Sequence, residues 1–346
     1  MKIKMNTENM IATLLFLFLI VYPLMTSAYK VLNLASFLSM VFISLSVALI
    51  WGYAGIFSSG QSLFFGIGGY FYGILMLNVT QPSFTLVAFI LGVVVAGLVS
   101  WLLGYIIFYG GVNDMFVGLI TLCVTLAIET FMAQTAGPEW KIGNVSLGGY
   151  NGINSIPTIS IGSFSLVGNN LYYFILILLL VVYISLRLLV VSRWGYALIA
   201  IRENRERSKM FGYNVPFIQT MVFALGGALA SLSGILYACW GGYMTPSTMS
   251  LSAATLPVVL VAAGGRKNLT AGMIFTLIYL WFAQYLSANG NQYALVILGL
   301  LLLVVILLLP QGMLVALFNW LDSLKLRPKA RASYEINPVK EVLHEK

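Results

Sequence analysis

The chain carries few side chains able to do acid–base, nucleophilic or metal chemistry, and their spacing forms none of the usual sites. Its 346 residues include one histidine, two cysteines and ten carboxylates. His344 lies in a polar tail, and Cys123 and Cys239 lie in apolar runs that suit neither a disulfide framework nor a metal site. No paired carboxylates, Ser-His-Asp set, HExxH pattern or G-x-x-x-x-G-K-[ST] phosphate loop occurs. We therefore expect no catalytic residue, cofactor or metal, and any ATP chemistry must come from another polypeptide.

Glu129 is the clearest ionisable group inside an apolar run, the segment 115–134 that follows Asp114. An ionised carboxylate at the centre of a bilayer costs about 3 kcal/mol on insertion scales. Such a group needs a partner, a water-filled cavity or a proton. We therefore expect the Glu129 carboxylate either to contact the ammonium group of a substrate or to form a hydrogen bond with a neighbouring helix near the outer interface.

A glycine-dense segment, residues 52–73, holds too many glycines for a stable isolated helix. Gly69 and Gly73 have the spacing that lets two helices pack closely, which is one interpretation. The other is a broken or re-entrant segment along a pathway, because irregular backbone survives at membrane depth only inside protein or beside a cavity. Gln61 is the sharpest candidate, since its amide both donates and accepts hydrogen bonds. The candidate pathway residues are Ser58, Gln61, Phe64, Phe65, Thr125 and Glu129.

The densest cluster of charge is the basic loop, residues 192–215. Gly195 and Gly212 bracket a stretch free of Pro and Gly, which predicts one helix centred on residues 196–210. Its apolar side chains fall on one face and its charged side chains on the other. A short amphipathic helix of this kind either lies passively at the membrane interface or docks into a groove on a cytoplasmic partner.

The composition decides which elements must position these residues. Hydrophobic residues make up 60% of the chain and charged residues 8%, and the mean hydropathy is +0.96. A soluble enzyme or a disulfide-rich secreted domain cannot be built from this composition, since soluble domains carry roughly 25% charged residues. Continuous apolar runs, rather than alternating ones, also exclude a β-barrel. The chain is therefore predicted to be an all-α polytopic membrane protein.

Ten apolar segments are long enough to be membrane helices or parts of them, and the third and eighth are short. They predict one transmembrane domain over residues 1–320 and a basic tail over 321–346. The first segment also resembles a signal peptide, although a retained span is the simpler interpretation. The predicted spans are residues 11–28, 33–51, 63–78, 84–109, 115–134, 171–191, 216–240, 252–265, 269–287 and 292–310.

The net charge of +8 reports on topology rather than on nucleic-acid binding, because the basic residues cluster between apolar runs. With ten spans and a cytoplasmic N-terminus, all but two of the 18 lysines and arginines fall on the cytoplasmic side. The exceptions are Lys30 and Lys141. Both termini and the basic loop are therefore predicted to be cytoplasmic, and the Gly- and Asn-rich stretch 135–170 is predicted to be external.

The basic loop, which reads WGYALIAIRENRERSKMFGYNV, resembles the cytoplasmic loop of permease subunits from ABC importers of the branched-chain amino acid and urea type. Four other segments also resemble sequences of this family, and all five occur in the family's order along the chain. They are LIWGYAGIFSSGQSLFFGIGGY and GGYNGI before the loop, and ALASLSGILYA with PSTMS and ILGLLLLVVILLLPQGM after it. Tyr196 and Arg205 depart from the loop pattern, which has a basic and an acidic residue there. The resemblance assigns ATPase coupling to Gly195, Ala200, Arg202, Glu203, Asn204, Gly212 and Asn214.

The resemblance implies a permease subunit in a bacterial plasma (inner) membrane, one half of an ATP-driven importer. Its implied partners are a second homologous permease chain, two cytoplasmic ATPase subunits and an extracytoplasmic substrate-binding protein, and no nucleic acid. Branched-chain amino acids are the first substrate expectation. The FGYN and AGGR sequences resemble the urea branch instead, so urea or a short amide is the alternative. An ion-coupled secondary transporter would want several intramembrane ionisable residues, of which Glu129 is the clear one. A membrane-embedded enzyme has no catalytic constellation to support it.

Overall fold

The computed structural model describes residues 7–79, 81–161, 164–290 and 292–325. These residues are mostly helical, which confirms the predicted all-α class. The helices are Thr7–Met25 (α1), Ala28–Val47 (α2), Gln61–Asn78 (α3), Thr85–Tyr109 (α4), Asp114–Gln134 (α5), Asn169–Val191 (α6), Arg193–Glu203 (α7), Arg205–Met210 (α8), Val215–Gly241 (α9), Leu251–Gly264 (α10), Leu269–Ala288 (α11), Ala294–Leu308 (α12) and Met313–Lys325 (α13). The predicted tail 321–346 begins within α13, and the rest of it lies outside the described residues.

Three short antiparallel strand pairs also occur in the described residues. They are Lys141–Ile142 (β1) with Val145–Ser146 (β2), Ile153–Asn154 (β3) with Tyr243–Met244 (β6), and Ser160–Ile161 (β4) with Phe164–Ser165 (β5). Only the β3–β6 pair joins distant parts of the sequence. It ties the 135–170 stretch to the chain that follows α9.

The helices account for all ten predicted apolar segments, but not all of them are full spans. In the described part of the chain, seven helices are long and apolar enough to cross a membrane, or eight if α12 and α13, which meet at a 50° bend, form one span. The third and eighth segments fall short by this measure: α10 is too short with 14 residues, whereas α3 has 18 residues but is not apolar enough. The predicted figure of about ten therefore includes short helices.

Small residues let the central helix α9 pack tightly against α2, α3 and α4. A Cβ atom on Gly234 would lie 1.9 Å from the carbonyl oxygen of Phe65. A Cβ on Gly68 would lie 2.2 Å from Oγ of Ser231. The backbones of α3 and α9 thus approach more closely than larger side chains would permit, the close packing that small residues provide between membrane helices.

The glycine-dense segment is broken only in its first part. α2 runs into a π-helical turn, Ala48–Tyr53, and a non-helical loop over residues 54–60 separates it from α3. Gly55 has a φ of +75°, a backbone conformation that side chains disfavour. The later glycines lie inside the regular helix α3, because packing against neighbouring helices offsets their low intrinsic helix propensity.

A polar cluster ties α1 to α6 and α11 at one end of the bundle. The Arg187 guanidinium pairs with the Glu8 carboxylate, and its Nη2 donates to Oδ1 of Asn9 at 2.6 Å. Oγ1 of Thr270 donates to the same carboxylate at 2.8 Å, and the Tyr183 hydroxyl lies 2.7 Å from that Oγ1. Removal of α1 would therefore leave a partly buried guanidinium without its carboxylate.

Replacement of Glu8 by Gln should lower the thermal stability of the purified protein. The change keeps the size of the side chain but removes the charge beside Arg187, and the loss of a charged hydrogen-bond partner costs about 1–3 kcal/mol. Glu206→Gln is the matched control, because its carboxylate pairs with Lys209 on an exposed surface. Melting curves in detergent should show a drop of several degrees for the first variant and almost none for the second. Equal melting temperatures would contradict a stabilising role of the Glu8–Arg187 pair.

Candidate functional site

The basic loop forms two short helices where the sequence predicted one. α7 ends at Glu203, Asn204 takes an extended conformation with φ −159° and ψ 105°, and α8 begins at Arg205. Oδ1 of Asn204 accepts a hydrogen bond from the backbone N–H of Arg207 at 2.8 Å and so caps α8. The prediction of a continuous helix is therefore wrong at Asn204, because a capping side chain there satisfies the first turn of a new helix.

Helix α7 begins with a tight turn that needs a glycine. A Cβ on Gly195 would lie 2.1 Å from the carbonyl oxygen of Val190 in α6, so no larger residue fits between the two helices. The predicted apolar face is only partly buried, since Ala197, Leu198 and Ile201 face the protein whereas Ala200 is exposed. The loop therefore rests on the bundle by one face of α7 and presents the other outward.

The end of the loop projects two large apolar side chains. Met210 is 86% exposed and Phe211 is 76% exposed, and the next residue, Gly212, has a φ of +85° with open space around it. Asn214 then accepts a hydrogen bond from the N–H of Phe217 and caps α9. Exposed apolar side chains at the end of a charged loop suit contact with either lipid or a protein partner.

Arg202 fastens α7 to the end of α2. Its Nη1 donates to the carbonyl oxygen of Gly52 in the π-helical turn, and its Nη2 donates to Oε1 of Glu203 at 2.6 Å. The hydrogen bond and charge of Arg202 hold the pKa of the Glu203 carboxyl below its ordinary value, and Lys267 adds to this. A second tether runs from the guanidinium of Arg205 to Oε1 of Gln219 in α9.

Of the candidate pathway residues, Ser58 lies in the 54–60 loop and contacts α5. Its Oγ lies 3.3 Å from Oγ1 of Thr121, which also accepts from the backbone N–H of Ser59 at 3.3 Å. Thr125 follows one turn later on α5, is buried, and donates to the carbonyl oxygen of Thr121. Glu129 lies a further turn along and is partly exposed, and no ion pair of its carboxylate occurs in the described part of the chain.

Gln61, Phe64 and Phe65 lie inside the helix bundle. Oε1 of Gln61 accepts from Oγ of Ser46 at 2.8 Å, whereas its Nε2 has no acceptor among the described residues. The Phe64 ring packs edge-on against the Phe223 ring of α9, with 5.7 Å between the ring centres, and Phe65 is also buried. The structure therefore groups Ser58, Thr125 and Glu129 along α5 and places the other three candidates between α3, α2 and α9.

Sequence reasoning missed two partners that hold this site together. Thr121 stands one turn before Thr125 on the same helix, and this four-residue spacing was a readable signal. Gly52 is the first glycine of the glycine-dense segment, but the role of its carbonyl oxygen as an acceptor depends on Arg202, 150 positions away. No local pattern predicts such a contact.

Comparison with known proteins identifies the relatives of this chain. The sequence model of the family described as branched-chain amino acid transport system / permease component matches residues 30–306. The probable branched-chain amino acid transport permease protein LivM of Methanocaldococcus jannaschii is 23% identical over 65% of this chain and 72% of its own length. The high-affinity branched-chain amino acid transport system permease protein LivM of Escherichia coli (strain K12) is 23% identical over 89% of this chain and 75% of its own.

A shorter match comes from the high-affinity branched-chain amino acid transport system permease protein LivH of Escherichia coli (strain K12). It is 29% identical over 36% of this chain and 40% of its own length. No solved structure matches the chain.

Replacement of Gln61 by Leu should leave the melting temperature within about two degrees of the parent. The single hydroxyl hydrogen of Ser46 is shared between Oε1 of Gln61 at 2.8 Å and the carbonyl oxygen of Gly226 at 2.7 Å, so in the variant Ser46 keeps the Gly226 acceptor. The variant also removes an amide nitrogen that has no acceptor in the described residues. Gln219→Leu is the comparison, because its equally buried amide accepts from the guanidinium of Arg205. A drop for Gln61→Leu as large as that for Gln219→Leu would assign the Gln61 amide a structural role.

Proposed function

The chain belongs to the family of permease components of branched-chain amino acid transport systems, and we propose that it forms one membrane-spanning half of an ATP-driven importer. ATP hydrolysis is assigned to a separate subunit. The other half is a second, homologous permease chain, and the relatives named LivM and LivH support a pairing of two different chains. Two ATPase subunits and an extracytoplasmic substrate-binding protein complete the proposed assembly.

The geometry of the basic loop is the observation that carries the proposal. One face of α7 is buried on the bundle, Arg202 ties the loop to α2, and Met210 and Phe211 project outward. An interface helix lying passively on lipid would turn its apolar side chains toward the membrane on the same face throughout. A short rigid element with an exposed apolar tip instead suits a groove on a protein partner.

The proposed orientation places the basic loop and both termini in the cytoplasm. Arg202 of the basic loop and Arg266 of the α10–α11 connection both contact Gly52, so two predicted cytoplasmic segments lie at the same end. The β3–β6 pair likewise joins two segments predicted to be external. Positive charge concentrated at one end of a polytopic protein favours the cytoplasmic side for that end.

Branched-chain amino acids are the proposed substrates, because the family and the relatives are named for them. The proposed pathway runs beside α5, where Ser58, Thr125 and Glu129 follow one another, and Gln61 stays a candidate farther inside. Glu129 suits the ammonium group of an amino acid, since a carboxylate near a membrane pathway needs such a partner. Urea is the alternative substrate, on account of the Gly212-Tyr213-Asn214 sequence at the end of the basic loop.

Reconstitution of the whole assembly tests this function. Proteoliposomes containing both permease chains and the ATPases, with binding protein outside and ATP inside, should accumulate labelled leucine or isoleucine. Accumulation of labelled urea in place of the amino acids would support the alternative substrate. Uptake of leucine without ATP but with an ion gradient would contradict the proposal and favour a secondary transporter.

Replacement of Phe211 by Ala should weaken the binding of the ATPase to the permease roughly tenfold, because truncation of an exposed aromatic anchor typically costs more than 1 kcal/mol of binding energy. Tyr150→Ala is the matched control, since this side chain is 70% exposed in the stretch proposed to lie outside. Titration of purified ATPase onto the permease pair in nanodiscs measures both affinities. Equal affinities for the two variants would remove the tip of the loop from the interface.

Single cysteines test the orientation. Met210→Cys should react with a membrane-impermeant maleimide only after permeabilisation of cells, and Ser146→Cys should react in intact cells. Both positions are exposed, and the background variant lacks Cys123 and Cys239. Labelling of Met210→Cys in intact cells would reverse the proposed topology.

A further inference from the structure

At the end of α2, the basic loop contacts the backbone of an apolar helix that is distant from it in the sequence. In the π-helical turn Ala48–Tyr53, the backbone N–H of Ala54 reaches back to the carbonyl oxygen of Leu49, which is the wide spacing of this helix type. The Gly52 carbonyl oxygen accepts instead from the guanidinium of Arg202. Hydrogen bonds from a charged donor are roughly twice as strong as neutral ones, so Arg202 holds this turn firmly.

Two glycines make room for this contact. A Cβ on Gly55 would lie 2.6 Å from Cγ of Arg202, so the aliphatic part of the arginine rests directly on the loop backbone. A Cβ on Gly52 would lie 1.8 Å from the carbonyl oxygen of Arg266. The guanidinium of Arg266 in turn lies 5.3 Å from the centre of the Trp51 ring. The end of α2 is thus held between the basic loop and the α10–α11 connection.

The 54–60 loop carries the contact onward to α5. The Phe57 ring meets Trp51 edge-on at 5.4 Å, and a Cβ on Gly118 of α5 would lie 2.5 Å from that Phe57 ring. One turn farther along α5, Oγ1 of Thr121 accepts from the backbone N–H of Ser59. Every step from Arg202 to α5 is therefore a direct contact between neighbouring side chains or backbone groups.

We propose that Arg202 is the residue through which the basic loop moves α5, by way of the Gly52 carbonyl and the 54–60 loop. This inference rests on the proposed function, because it requires an ATPase that displaces the basic loop. A π-helical turn inside an α-helix is frequent at functional sites, and here it places the open carbonyl where α7 can hold it. The physical claim is that one arginine positions both the turn and the loop, so that displacement of α7 displaces the contact with Thr121.

The test measures substrate transported per ATP hydrolysed in the reconstituted assembly. Arg202→Met keeps the aliphatic contact with Gly55 and removes the bond to Gly52, so transport per ATP should fall at least tenfold while the ATPase stays bound. Lys30→Met is the matched control, because it removes a positive charge from an exposed position outside the basic loop. The control should transport the same amount per ATP as the parent. Unchanged transport per ATP in Arg202→Met would overturn the inference, and so would loss of the bound ATPase from that variant.

A second variant interrupts the same route at its far end. Thr121→Val keeps the shape of a buried side chain, removes the acceptor for Ser59, and should lower transport per ATP in the same way. Thr220→Val is its control, since Thr220 is buried and its hydroxyl donates, among the described residues, to Pro216 of its own helix α9. Parent-like transport per ATP in Thr121→Val would overturn the proposed route. Failure of the parent assembly to bind an ATPase or to take up substrate with ATP would instead contradict the proposed function itself.

Discussion

A helix that ends inside a protein leaves carbonyl groups that need hydrogen-bond donors, and in an apolar protein few donors are near. α2 ends in this way at its π-helical turn, and Arg202 supplies the donor for Gly52. The arginine stands on the basic loop between α6 and α9, so this hydrogen bond holds that loop together with the Arg205–Gln219 bond and the packing of α7 on the bundle. The same break permits the 54–60 loop to reach α5 through Ser58 and Ser59. The break in α2 thus connects the basic loop to α5.

The rest of the bundle divides into a tightly packed part and a loosely packed part. α9 lies against α2, α3 and α4 through glycine and serine contacts that leave little room for movement, as at Gly234 and Ser231. α5 is mostly exposed, and its main contacts are with the short segments Pro246–Met249 and Gly149–Asn151 and with α3 and α10. A helix with few packing contacts moves at lower free-energy cost than a central one. This contrast supports the proposal that α5 moves while α9 stays in place.

Much of the fold could be predicted from the sequence because apolar runs and charge placement obey the solvent requirements of a bilayer. Each of the ten predicted segments lies on a helix, and Asn214 ends the basic loop as a cap. The single helix predicted through Asn204 was wrong, because a capping asparagine and a helical one look alike in a charged run. The contacts of Arg202 with Gly52 and of Gln61 with Ser46 depend on tertiary packing, which no periodicity encodes. The candidate residues were therefore chosen by residue type, and their contacts became visible only in the structure.

The most direct measurement of the central claim is the distance between α5 and the packed part of the bundle in the assembled importer. Spin labels on Cys123, which is exposed on α5, and on an Ile106→Cys substitution in α4 report this distance by pulsed electron paramagnetic resonance. The account predicts that ATP shifts the distance distribution in the parent and that Arg202→Met abolishes the shift with the ATPase still bound. A distribution that ATP leaves unchanged in the parent, or shifts equally in the variant, would contradict it.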